Sequence, residues 1–241
     1  VNILASVFFF SRHYRDIAPS IRSVNLSLSK GLVDVGGKFF IIQIAMVVLF
    51  STDNIIITKL FSPSLVTPYN ISLQYMGFAS AIFFMILNPS MMAFAEAGIL
   101  RDLAWIVKTL KRLVKLWVIF CCCLALMVAI SPFVYRLWIG PEVEIPQRLT
   151  ALMAVSASLT CWNSLFGSYN IGTGKLNLIM MLNIIIIVIN IPLSIFFAGV
   201  MKMGPEGVIL ASILCMSLGA VLIPAQTYLI LHEKADYFWN R

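Results

Sequence analysis

The chain has 241 residues, of which 61% are hydrophobic and only 11% charged, and its net charge is +7. With a mean hydropathy of +0.97, this composition excludes a soluble globular core and describes a chain solvated by a bilayer. The basic excess therefore reads as a membrane-surface feature, with no nucleic acid as a partner.

The chain opens on an apolar run, Val1 to Ser11, that is too short to cross a membrane. It has no initiating Met, no basic n-region and no small-residue cleavage site, so it does not read as a signal peptide. Residues 1–11 read instead as the truncated end of a transmembrane helix, with the rest of the protein expected upstream. Residues 12–37 are polar, basic and serine-rich, a cytoplasmic linker. At about twenty residues per crossing, six complete spans follow, at about 38–60, 67–94, 113–135, 149–171, 176–200 and 207–231. Together they make a lobe over 38–231, and 232–241 is a cytoplasmic tail. The expected fold class is all-α integral membrane, with six complete transmembrane helices plus the N-terminal stub.

Between the second and third spans, Ile99, Leu103, Ile106, Leu110 and Leu113 recur at helical spacing, while Arg101, Lys108, Lys111 and Lys115 occupy other faces. That pattern predicts a helix lying on the inner leaflet near anionic lipid, with a solvated extension of the neighbouring spans as the alternative. On the opposite side the connections are short, and Pro63, Pro68, Pro141, Pro146 and Pro205 mark turns. None is large enough to fold as a catalytic domain.

Charge orients the spans. Thirteen of the seventeen Lys and Arg residues fall on one side: Arg12, Arg15, Arg22, Lys30, Lys38, Arg101, Lys108, Lys111, Arg112, Lys115, Lys175, Lys234 and Arg241. Lys59, Arg136, Arg148 and Lys202 fall on the other. By the positive-inside bias the richer side is cytoplasmic, and so is the C-terminus. Tyr135, Trp138, Tyr228, Tyr237 and Trp239 sit where interfacial aromatic belts are expected.

Four spans carry polar residues that line up at 100° per residue. Gln43 and Asn54 share a face of the first span, with Asp53 about a quarter turn away. Asn70, Gln74, Gly77, Ala81 and Asn88 form a second stripe. Ser156, Thr160, Asn163, Gly167 and Asn170 form a third, and Asn183, Asn190 and Ser194 a fourth. Amides in hydrocarbon must face one another or water. Interhelical hydrogen bonding is the plainer reading of any one of them, and a hydrated cavity is the reading of the set. Asp53 is the ionisable residue clearly inside a span, a candidate coupling charge. Because Lys59 lies six residues on, an ion pair or capping role at the interface stands beside it. Pro89, Pro132, Pro192 and Pro224 fall within or near spans and predict bends.

Enzyme motifs fail on inspection. Gly172-Thr173-Gly174-Lys175 lacks the GxxxxGK[ST] spacing of a phosphate loop and reads as a turn. His13 and His232 flank membrane boundaries. Cys121, Cys122, Cys123, Cys161 and Cys215 lie inside spans without metal-ligand spacing and read as small packing residues. No catalytic set, metal or cofactor is expected.

Ser51-Thr52-Asp53-Asn54-Ile55-Ile56-Ile57, Leu137-Trp138-Ile139-Gly140, Asn170-Ile171-Gly172-Thr173-Gly174-Lys175, Asn190-Ile191-Pro192-Leu193 and Gly204-Pro205-Glu206-Gly207-Val208 occur in succession. In order and spacing, Lys38 to Leu231 resembles the C-terminal half of bacterial polysaccharide flippases, in the superfamily that includes multidrug and toxic-compound extruders and lipid II flippases. The resemblance implies a twelve-helix transporter of two lobes around a cavity opened alternately to each side. Its implied substrate is an undecaprenyl-pyrophosphate-linked oligosaccharide, moved across the bacterial inner membrane for O-antigen, capsule or exopolysaccharide assembly. Implied partners are the missing N-terminal lobe, membrane lipids, and the polysaccharide polymerase and glycosyltransferases of the same route. A proton, a cation or the membrane potential would drive it. A multidrug or cation antiporter of the same fold, a seven-span receptor and an inactive fragment are the alternatives.

Overall fold

The computed structural model describes Phe8, Phe10, Arg12, Tyr14, residues 26–140 and residues 142–232. Most of the expected stub, linker residues 13 and 15–25 with His13, Pro141 and the tail beyond His232 with Tyr237 and Trp239 lie outside them. Two units are distinguished, Val1–Phe39 and Phe40–Arg241; the first part of α1 belongs to the first unit, and the contacts and cavities below all lie in the second.

Among the described residues the elements are helical throughout: α1 (Leu26–Leu60), α2 (Pro63–Leu100), α3 (Leu103–Trp138), α4 (Gln147–Gly172), α5 (Asn177–Ile195, continued by a π-helical turn over Phe196–Val200) and α6 (Pro205–Leu231). Five are long and apolar enough to cross a membrane, namely α2, α3, α4, α5 with its π turn, and α6. The chain is thus a multi-pass membrane protein. The expected count of six spans is not matched. The remaining expected span, over 38–60, is the C-terminal part of α1.

The helix on the inner leaflet is also corrected. α3 begins at Leu103 and runs unbroken for 36 residues, about 54 Å at the usual rise and far more than about 30 Å of hydrocarbon. The predicted surface helix is therefore the first third of one continuous helix, an extension of the span that follows it. Ile106, Leu110 and Leu113 are buried in the protein, so their periodicity reports packing against neighbouring helices rather than against lipid.

Local chemistry fixes the helix ends. Pro63 and Pro205 start α2 and α6, where a missing N–H costs nothing. Asp102 caps α3 by accepting a 3.0 Å hydrogen bond from the Trp105 N–H. Pro68, read as a turn marker, is instead buried inside α2. Pro192 lies within α5, and the π turn follows within one helical turn, consistent with a backbone ladder already missing one donor.

α4 packs against α2, α3 and α6, and α6 packs also against α5. One core cluster joins Ile57 of α1, Tyr69, Met76, Phe83 and Phe94 of α2, Ile106 of α3, Leu165 and Tyr169 of α4, and Val208 of α6. Two close approaches depend on glycine. A Cβ on Gly172 would lie 2.5 Å from the Met91 carbonyl oxygen, and one on Gly207 2.6 Å from the Ala198 nitrogen. These contacts set the α2–α4 separation and seat α6 on the π turn.

Candidate functional site

The stripe on α4 divides between two cavities. Thr160, Asn163 and Gly167 line a cavity of about 140 Å3 together with Asn183 of α5, Met216 and Gly219 of α6 and Ile42 of α1. Ser156 and Thr160 also line a groove of about 260 Å3 against Gly77 and Ala81 of α2. Thr160 thus joins the two. Among the described residues, neither is lined by an Asp, Glu, Lys or Arg.

Asn163 is the polar centre of the smaller cavity. Its Nδ2 donates 3.1 Å to the Met216 carbonyl, and its Oδ1 is buried without a hydrogen-bond partner. Gly219 makes this approach feasible, because a Cβ there would sit 3.0 Å from the Asn163 Nδ2. The Thr160 hydroxyl donates 2.9 Å to the Ser156 carbonyl. Asn183 donates 2.8 Å to Ile179 on its own helix and stays half-buried at the cavity wall.

The other stripe residues have different surroundings. Asn170 is fully buried: its Nδ2 donates 2.9 Å to the Gln226 Oε1, and its Oδ1 accepts from the Thr227 hydroxyl at 3.1 Å. Asn190, also fully buried, donates 2.9 Å to the Ser212 oxygen and accepts from the Ser194 hydroxyl at 3.4 Å. These two amides tie α4 and α5 to α6 and line neither cavity. Asn70 is half-buried, whereas Gln43, Gln74 and Asn88 are exposed. Gln74 and Asn88 share α2 with Gly77 and Ala81, which are exposed as well.

Asp53 lies at the other end of α1's core contact. It is 4% exposed, and its Oδ2 accepts a 2.7 Å hydrogen bond from the Tyr69 hydroxyl. Its Oδ1 and the neighbouring Asn54 Oδ1 are buried without a hydrogen-bond partner. Lys59 is exposed, and the contact made by Asp53 is with Tyr69.

The bundle of apolar helices, with largely apolar cavities that carry a few polar side chains between α1, α2, α4, α5 and α6, has a counterpart among solved proteins. The fold resembles a MATE-family transporter. The chain aligns with the outward-facing conformation of a multidrug resistance MATE family transporter of the MOP superfamily, at a TM-score of 0.75 and 14% identity. The alignment covers 96% of this chain and 54% of that one, so the chain spans about half the length of the transporter it matches. No protein-family profile and no curated sequence matches it.

Tyr69, Gln226, Thr227, Ser212 and Met216 escaped the sequence reading. So did Trp117 and Trp162, whose ring centroids lie 4.5 Å apart and whose indole N–H groups donate to the Ser158 and Ala220 carbonyls. Of these, Tyr69 alone left a signal in the sequence. A short α1–α2 connection after Leu60 places residues roughly equidistant from it opposite one another, and Asp53 and Tyr69 are such a pair.

Proposed function

We propose that the chain forms one six-helix lobe of an alternating-access membrane transporter, a flippase that moves undecaprenyl-pyrophosphate-linked oligosaccharide across the bacterial inner membrane. The C-terminal part of α1 supplies the sixth span in this reading, and a second lobe supplies the opposite wall of the groove. Surface polysaccharide assembly would bring in the polymerase and glycosyltransferases as functional partners, with the C-terminus in the cytoplasm.

The observation that carries this reading is the Asn163 carbonyl oxygen, buried and unpartnered at the wall of an uncharged cavity. An orphaned acceptor is costly, and a sugar hydroxyl donating to it would satisfy it. Thr160, Ser156 and Asn183 add polar groups along the same groove. Set among mostly apolar side chains such as Ile179, Leu182 and Ile223, these uncharged polar groups suit a neutral polyol, whose unaided passage through about 30 Å of hydrocarbon is prohibitive. The prenyl tail would remain in lipid.

Asp53 is the proposed coupling charge. A buried carboxylate with one oxygen held by Tyr69 and the other unpartnered is a place where a proton or small cation can be held, and its occupancy would bias one conformation over the other.

A second reading, export of drugs or organic cations, is favoured by the name of the structural neighbour. Organic cations call for an acid or an aromatic cage, and no described residue lining the groove is an acid. Deleting the gene for the full-length protein and complementing it separates the two readings. The flippase reading expects loss of surface polysaccharide with unchanged accumulation of dye cations. Increased dye accumulation with intact polysaccharide would replace it by the exporter reading.

A further inference from the structure

A second cavity, sharing no residue with the groove, opens where α2 gives way to α3 and α4 to α5. It measures about 610 Å3, and its walls include Gly98, Arg101, Leu103, Ile106, Thr173 and Lys175. Among the described residues two cations line it and no Asp or Glu does. Asp102, next to Arg101, is turned to another task, capping the Trp105 N–H.

Arg101 is placed there by an unusual backbone. It occupies the position after α2 with φ 55° and ψ 32°, while the Asp102 N–H bonds the Ala97 carbonyl. Glycine takes this helix-ending position freely, and a residue with a Cβ takes it only against steric crowding. A long cationic side chain sits where the turn itself favours none, and its guanidinium has no hydrogen bond or ion pair among the described residues. Lys175 comes from the other turn, where Gly174 has φ 78°.

The surroundings are apolar. Ile99 is 84% exposed, Leu100 71% and Leu103 43%, so greasy side chains stand uncovered beside the two cations. A soluble phosphate compound has no use for them. An acyl chain does.

We propose that this cleft is a binding site for an anionic phospholipid, with the headgroup phosphate on Arg101 and Lys175 and an acyl chain along Ile99 and Leu103. Charge complementarity selects the headgroup, since basic pockets between membrane helices recognise anionic lipid heads. The exposed apolar residues select a lipid over a free anion. Bound there, the lipid would brace the α2–α3 turn against the α4–α5 turn.

The full-length protein, purified in neutral detergent, is titrated with phosphatidylglycerol, with phosphatidylcholine and with inorganic phosphate, and retained lipid is read by native mass spectrometry. Phosphatidylglycerol should be retained in preference to phosphatidylcholine. Each of Arg101→Gln and Lys175→Gln should weaken that retention by about fivefold, the effect of one cation near a lipid surface, and Arg101→Lys should restore it. Arg101→Gly removes the cation while relieving the backbone, so lipid loss with an undiminished melting temperature separates lost binding from unfolding. Equal retention of phosphatidylglycerol by the double Gln variant, or its displacement by inorganic phosphate at equimolar levels, would overturn the proposal.

Discussion

The Tyr69 hydroxyl donates a 2.7 Å hydrogen bond to the Asp53 carboxylate across the α1–α2 hairpin, and both residues are almost fully buried. The bond leaves Asp53 with one oxygen held and one without a hydrogen-bond partner. Tyr69 also belongs to the main core cluster, so the acid is anchored to the packed interior of the lobe rather than to its rim.

Substitutions at the two positions should therefore part company. Asp53→Asn keeps an acceptor for Tyr69, so the melting temperature of the full-length protein should change little while ion-coupled transport is lost. Tyr69→Phe strands a buried carboxylate and should lower stability by about 1–3 kcal/mol, read as a drop in the midpoint of a thermal melt. If Asp53→Asn transports normally, Asp53 is only a structural partner of Tyr69.

Sequence proximity pointed from Asp53 to Lys59, and helix geometry shows why that was misleading. Six residues at 100° each put Lys59 about 120° away from Asp53 around α1. The partner 16 residues distant is reached only because the chain reverses at Phe61–Ser62.

The amides of α4 make the same point and yield a second prediction. Asn170→Ala removes contacts to Gln226 and Thr227, each typically worth about 0.6 kcal/mol between membrane helices. It should lower the melting temperature modestly and leave transport intact in molecules that remain folded. Asn163→Leu should do the reverse, keeping membrane levels but reducing transport, because it fills the groove and removes its central acceptor. Loss of transport in both variants at equal stability would mean that Asn170 too serves the substrate.

Periodicity made the four stripes legible, because a face is a property of one helix. Which amide faces a cavity and which faces another helix depends on α6, where Gln226 and Thr227 sit more than fifty residues from Asn170. Apolar runs likewise revealed five membrane-crossing helices. The buried roles of Ile106, Leu110 and Leu113 were hidden, since lipid and protein interiors select the same residues.

Gly219 gives a test confined to the groove. A methyl there would meet the Asn163 Nδ2 at 3.0 Å and push the amide off the Met216 carbonyl. Gly219→Ala should thus reduce transport with little change in membrane level, and pairing it with Asn163→Ala should add almost no further loss, since the two act through one side chain. Additive losses would place Gly219 outside the Asn163 contact.

Gly172 tests the scaffold instead. Its missing Cβ would lie 2.5 Å from the Met91 carbonyl oxygen and 3.3 Å from the Ala95 nitrogen, both backbone atoms of α2. No rotamer change relieves such a clash, so Gly172→Ala must push α4 and α2 apart along their shared interface. Overpacking of this kind typically costs about 1–3 kcal/mol. The expected result is reduced accumulation in the membrane and a lower melting temperature, with Gly167→Ala as the control. The nearest atom to a Cβ on Gly167 is a side-chain carbon of Ile179 at 3.9 Å, an ordinary contact, and that variant should accumulate normally. If Gly172→Ala melts like wild type, the close approach of α2 and α4 is not what holds this end of the bundle.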